Sequence, residues 1–156
     1  MSTFFGKRVS VEEVEEGRLL QPKFNEDGLI PVITTNYKDN EVLMHGYMNQ
    51  EAFEKTMKTE FAHYWSRSRK CLWQKGKTSG FTQKVIEMRI DDDQDCLLVK
   101  VKLAGNGASC HVGYRSCFYR KVCFQQTKKN KLEFIEKKKT FDPKVVYKDV
   151  KNPTKL

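Results

Sequence analysis

Leu97, Val99 and Val101 alternate with Leu98, Lys100 and Lys102 in a run, residues 96–103, bounded by Asp91-Asp92-Asp93-Gln94-Asp95 on one side and Gly105-Asn106-Gly107 on the other. A period of two puts one set of side chains in a core and the other toward water, so this segment reads as a strand and the chain must build a sheet around it. Other β-rich runs are residues 29–37 and 41–47, which read as a hairpin across Lys38-Asp39-Asn40, and residues 61–66, 81–90 and 114–124. Helices are few. Ser10 with Glu13 makes a capping box and Gly17 a stop, which predicts a short helix over 10–16. Asn49 can cap a second over 50–58, where Ala52, Phe53, Thr56 and Met57 share one face. The expected architecture is α+β, a mainly antiparallel β-sheet domain with a few short helices. From residue 125 the chain turns lysine-rich, with a weak strand over 132–135. Residues 1–124 are therefore expected to form the main domain and 125–156 an appendage.

A length of 156 residues suffices for one domain with its own core. No apolar run approaches the roughly 18 residues of a membrane span, and the first residues lack the basic-then-apolar layout of a signal peptide, so a cytoplasmic protein is expected. In that compartment the five cysteines, at 71, 96, 110, 117 and 123, should be thiols, either buried or metal-binding. A net charge of +9 favours an anionic partner, whether nucleic acid, a membrane surface or a phosphorylated small molecule.

Three clusters carry chemistry. Asp91, Asp93 and Asp95 alternate, so in an extended segment they share a face and can converge on a hard cation such as magnesium; the plainer reading is a solvated acidic turn. Cys110, His111 and Cys117 lie in one stretch with Gly105, Gly107 and Gly113 to bend the backbone. Thiolate and imidazole suit zinc, against the alternative of two structural cysteines. Trp65-Ser66-Arg67-Ser68-Arg69 and Trp73-Gln74-Lys75-Gly76-Lys77-Thr78-Ser79-Gly80 combine guanidinium, hydroxyl and exposed amide groups suited to phosphate with rings that can stack on a base, or else form a basic surface over core tryptophans. His63 and His111 are the histidines suited to proton transfer. His45, on an apolar run, reads as a core residue.

In their order these segments resemble the phosphoribosyl-AMP cyclohydrolase family. The matching stretches are Phe24-Asn25-Glu26-Asp27-Gly28-Leu29-Ile30-Pro31-Val32, Glu41-Val42-Leu43-Met44 with Met48-Asn49, His63-Tyr64-Trp65-Ser66-Arg67-Ser68-Arg69, Leu72-Trp73 with Lys75-Gly76, Thr78-Ser79-Gly80, and Ser116-Cys117-Phe118-Tyr119-Arg120. The resemblance implies hydrolysis of the N1–C6 bond in the adenine ring of phosphoribosyl-AMP, a step of histidine biosynthesis, with zinc at the reaction centre and magnesium nearby. It also implies an intertwined homodimer whose metal ligands are shared between chains. Carried over by position, Asp91, Asp93 and Asp95 are the magnesium ligands, and Cys110 and Cys117 are two of three zinc cysteines. The third zinc position holds Asp92, with Cys96 displaced beyond it.

The expected roles are then proton transfer by His111 or His63, and substrate binding by Trp65, Ser66, Arg67, Arg69, Lys75, Thr78, Ser79, Arg115 and Ser116. His45-Gly46-Tyr47 departs from the family's usual apolar residues and tryptophan. Two alternatives stand beside this reading: a hydrolase of a related purine nucleotide, and a basic RNA-binding module with a vestigial metal site. The acidic run weighs against the second, since it would repel a phosphate backbone.

Overall fold

The computed structural model describes residues 4–124 and 131–156. Ile30–Asn36 (β1) and Val42–Met48 (β2) form the expected antiparallel hairpin, with Ile30 opposite Met48. Gln83–Ile90 (β5) and Leu97–Leu103 (β6) are also antiparallel, the acidic residues forming the turn between them. The two pairs join through β1 and β6 to give the order β2-β1-β6-β5.

Antiparallel pairing holds within each hairpin as expected, and only the central junction departs from it. β1 and β6 run parallel, with Val32 beside Leu97 and Asn36 beside Val101, so the sheet is mixed. Alternation dictates which side chains of β6 are buried, but it carries no information about the direction of a neighbour 60 residues away. Leu97, Val99 and Val101 are at most 1 % exposed, as their spacing predicts, and meet Ile30, Val32, Leu43 and Met48 in the core.

Val11–Glu16 (α1) is capped by Ser10, whose side chain accepts from the Glu13 amide, and Gln50–Thr59 (α2) by Asn49, which accepts from Ala52. Helix α2 buries Ala52, Phe53 and Thr56 against the sheet, and full burial of a phenylalanine such as Phe53 stabilises by about 1.5–3 kcal/mol. Met57, expected on the same face, lies at its rim and is 43 % exposed. His63–Ser66 (β3) pairs with Cys71–Gln74 (β4) in a second sheet. The sequence pattern does not predict β4, since a four-residue strand flanked by charges is too short to register.

Of the run 114–124 only Arg120–Val122 (β7) is a strand, and it pairs with Leu132–Phe134 (β8). Upstream the chain bends, stacking Tyr114 on Tyr119 at 4.0 Å between ring centroids. The expected domain boundary falls beside residues 125–130, which lie outside the described residues. Residues 131–156 contain a third helix, Pro143–Val146 (α3). Phe141 packs on Phe81 at 4.8 Å, and Glu136 accepts from the amides of Arg115 and Ser116, each at 3.0 Å. Among the described residues no helix is long and apolar enough to cross a membrane.

Candidate active site and metal centres

Beyond the C-terminal end of β6 the chain closes a tight loop. The Ser109 amide donates to Arg115 O at 2.8 Å, Cys110 N to Tyr114 O at 3.1 Å, and Gly113 N to Cys110 O at 3.0 Å. Gly113 is required there: its φ is +107°, and a Cβ would stand 2.5 Å from the Phe141 carbonyl oxygen. Cys117 N donates to Leu43 O at 2.7 Å, which ties the far side of the loop to β2 and leaves the Cys110 and Cys117 thiols hydrogen-bonded to each other.

The pair shares a proton unevenly. The Cys117 hydrogen bond, backbone groups of Val112 and Tyr114 and the charge of Lys75 outweigh burial and bring Cys110 down to about 6. Cys117 moves the other way, raised by Cys110 and by burial. Lys75 is buried, and its ammonium donates to Ser109 O at 2.6 Å and lies 4.9 Å from the Trp73 ring centre. Burial lowers its pKa, while the two thiols oppose that shift. Burial and the Lys75 charge also lower the pKa of His111, whose side chain lies within reach of Asn152 and whose Nε2 is buried with no hydrogen-bond partner among the described residues.

This loop is wired to the core by polar groups that apolar patterning conceals. The Tyr64 hydroxyl donates to Gln83 Oε1 at 2.7 Å and meets Thr34 Oγ1 at 2.7 Å. Gln83 Nε2 reaches Ser109 Oγ at 3.3 Å, so the chain Thr34, Tyr64, Gln83, Ser109, Lys75 runs from β1 to the thiol loop. Buried polar groups are expensive unless paired, and each link holds the next in one geometry.

The acidic turn occupies the opposite end of β6. Asp91, Asp93 and Asp95 each place a carboxylate oxygen within 4.8 Å of the others. Burial and the charges of Asp93 and Asp91 raise the pKa of Asp95 against the pull of Lys23, as crowding of carboxylates does. The turn is held by Gln94, buried and left-handed at φ +59°, whose side chain accepts from Gln21 N at 2.7 Å and donates to Val14 O at 2.9 Å. Asp92 is exposed. Seven residues of strand, about 20 Å, separate this turn from the thiol loop, so one chain does not bring Asp92 to Cys110 and Cys117. Cys96 is at the same remote end, its thiol pKa raised by burial and by Asp91 and Asp95.

A cleft of about 380 Å³ opens beside the thiol loop, walled by β2, β3, β4 and residues 153 and 155. Of the expected substrate-binding residues it contains Trp65 and Arg67, the guanidinium lying 4.3 Å from the Tyr47 ring centre. Ser66 and Arg69 flank it: Arg69 Nε donates to Ser66 Oγ at 3.3 Å and the guanidinium lies 5.6 Å from the Trp73 ring centre. Thr78 and Ser79 sit in the turn after β4, where Ser79 Oγ accepts from Phe81 N at 3.3 Å. Arg115 and Ser116 brace the loop instead, Arg115 pairing with Glu41 at 2.7 Å and Ser116 Oγ donating to Val42 O at 2.7 Å. His63 is buried with Nδ1 held 2.8 Å from Phe61 O. His45 is not the core residue its apolar run suggested. It is exposed, and with Met44, Gly46 and Tyr47 it lines the cleft.

Comparison with known proteins identifies the scaffold. A family model described as phosphoribosyl-AMP cyclohydrolase matches residues 44–119. The phosphoribosyl-AMP cyclohydrolase of Brucella suis is 52 % identical over 122 residues, 78 % of this chain and 88 % of the relative. That of Rhodopseudomonas palustris is 46 % identical over 147 residues, 94 % of this chain and 99 % of the relative. These relatives define the class, hydrolases, with the thiols and the clustered carboxylates as candidate metal ligands. The chain belongs to the phosphoribosyl-AMP cyclohydrolase family, enzymes of histidine biosynthesis that act at a cyclic amidine C–N bond.

Proposed function

We propose that this chain opens the adenine ring of phosphoribosyl-AMP by hydrolysing the N1–C6 bond, in a cytoplasmic homodimer whose zinc sites are completed across subunits. The observation that carries the shared site is the placement of the thiol loop and the acidic turn at opposite ends of β6, which leaves Asp92 able to join Cys110 and Cys117 only from a second copy. An apolar groove of about 320 Å³ between α2 and β5, with Met57 and Ile86 exposed, offers a face for that copy. Unpaired thiols at all five cysteines suit the reducing cytoplasm.

The donor sets fit the two metals. Cys110 is poised as a thiolate beside Cys117, and sulfur suits zinc. Asp92 is favoured over Cys96 as the third ligand because it is exposed on the turn, whereas Cys96 is partly buried and its thiol is pushed away from the thiolate form. Asp91, Asp93 and Asp95 make an all-oxygen set for magnesium. Zinc, when bound, lowers the pKa of a water toward neutrality and so supplies a nucleophile.

The chain's own groups do the rest. N1-ribosylation makes the ring cationic and C6 electrophilic, and Trp65, Tyr47 and Trp73 offer faces on which such a ring can lie. Arg67, with Ser66 and Arg69 beside it, binds one phosphate, and Thr78 and Ser79, in the turn at the other end of β4, bind the second. Lys75, Arg115 and Ser116 hold the thiol loop in place. His111 moves the proton to N1 as the bond breaks. Its free Nε2 favours it over His63, whose ring is engaged by Phe61.

The test is subunit complementation. Cys110→Ala and Asp92→Ala homodimers should each lose metal-dependent ring opening and bound zinc. Mixed in equal amounts and allowed to exchange, they should recover about a quarter of wild-type turnover, since half the dimers then hold one intact site. Exchange without recovery would refute the shared site. Turnover of a related N1-substituted adenine nucleotide, but not of phosphoribosyl-AMP, would change the substrate and leave the site standing.

A further inference from the structure

The basic segment at residues 151–156 lies outside every element of the sheet, yet it reaches both halves of the site. Asn152 lies within reach of the His111 side chain, and Pro153 and Lys155 form part of the cleft wall that also holds His45, Tyr47, Trp65 and Arg67. Its route there is anchored. Glu136 receives the amides of Arg115 and Ser116, Thr140 N and Oγ1 donate to Gly113 O at 2.7 and 2.9 Å, and Asn106 donates to Thr140 O at 2.9 Å. Phe141 then packs on Phe81, and α3 follows.

The charge pattern of the cleft gives this placement a meaning. Among the described lining residues are Arg67, Lys155 and His45 and no carboxylate. Among the described residues, neither Arg67 nor Lys155 takes part in an ion pair. Two unpaired cations facing an aromatic cavity attract an anion, and a phosphorylated nucleotide brings both the anion and the ring.

We propose that residues 152–155 complete the substrate site, Lys155 binding a substrate phosphate together with Arg67 and Asn152 positioning the His111 imidazole. The assignment rests on the cleft being the phosphoribosyl-AMP site and extends it to a part of the chain that the sequence reading set aside as an appendage. The two residues act at different stages. Lys155 touches a group distant from the bond that breaks, so its loss weakens binding. Asn152 acts through His111, so its loss slows the chemical step.

Steady-state ring opening of phosphoribosyl-AMP by the metal-loaded full chain tests this. Lys155→Ala should raise KM about five- to twentyfold with kcat within about twofold, and Lys155→Arg should restore KM. Asn152→Ala should lower kcat about tenfold with KM little changed. Unchanged kinetics in both alanine variants and in a chain lacking 152–156 would overturn the proposal. So would an equal fall in kcat for all three accompanied by a lower Tm, the signature of a merely structural tail. Arg67→Ala separates the two levels. If it leaves KM unaltered, the cleft is not the substrate site. If it raises KM while Lys155→Ala does not, only the role of the tail is lost.

Discussion

Replacing Tyr64 by phenylalanine isolates the polar relay from the packing around it. The Tyr64 ring is 1 % exposed and keeps its place in the core in the variant, so no cavity opens. What disappears is one hydroxyl that donates to Gln83 Oε1 and, having a single proton, accepts from Thr34 Oγ1, both at 2.7 Å. Thr34 and Gln83 are fully buried, and neither of these two atoms has another partner among the described residues. Stranding one buried donor and one buried acceptor costs about 1–3 kcal/mol each, part of it recovered by relaxation, so Tyr64→Phe should lose about 2–4 kcal/mol. For a chain of this size that is a fall in Tm of roughly 5–15 °C. Thr34→Val removes the orphaned hydroxyl, so the double variant should be more stable than the sum of the single losses by about 1 kcal/mol. Urea denaturation of the four proteins measures all of this. A loss below about 0.5 kcal/mol for Tyr64→Phe, with additive behaviour in the double variant, would refute the relay as a source of stability.

Two further outcomes follow from the geometry. Gly113→Ala meets both a left-handed φ of +107° and the Phe141 oxygen, whereas Gly107→Ala meets only φ +80° in open space. The first should cost about 2–3 kcal/mol and the second about 1 kcal/mol by denaturant unfolding, and equal losses would remove the contact with Phe141 as the reason for glycine. His45 is shifted down by burial and by Arg67, and His111 by burial and by Lys75, so the unfolded chain takes up protons before the fold does. Stability should therefore fall as pH drops through 6.5 toward the lowered folded values and level off below them; His45→Gln should flatten part of that slope, and an unchanged slope would count against the assignment.

Much of the candidate site could be read in the chain because its chemistry is local. The carboxylates alternate within five residues, the thiols lie within eight, and a turn or a glycine-bent loop suffices to gather each group. The helix caps at Ser10 and Asn49 and the burial of Leu97, Val99 and Val101 were legible for the same reason, since a cap or a two-residue period needs no distant partner. His45 was misplaced because an apolar run states that a strand is half buried without saying which half. Its exposed face became visible only once β2 was laid against β1.

By itself, then, the sequence determined the longer helices and strands, the buried face of β6 and the reactive residue types, because propensity, capping and periodicity act over a few residues. Tertiary structure decided the parallel joining of β1 to β6, the separation of the thiol loop from the acidic turn by the length of a strand, and the arrival of residues 152–155 at the cleft. Those depend on which surfaces meet after the chain has closed, and contacts between residues tens of positions apart are selected by the packing of the whole core rather than by any segment's own pattern.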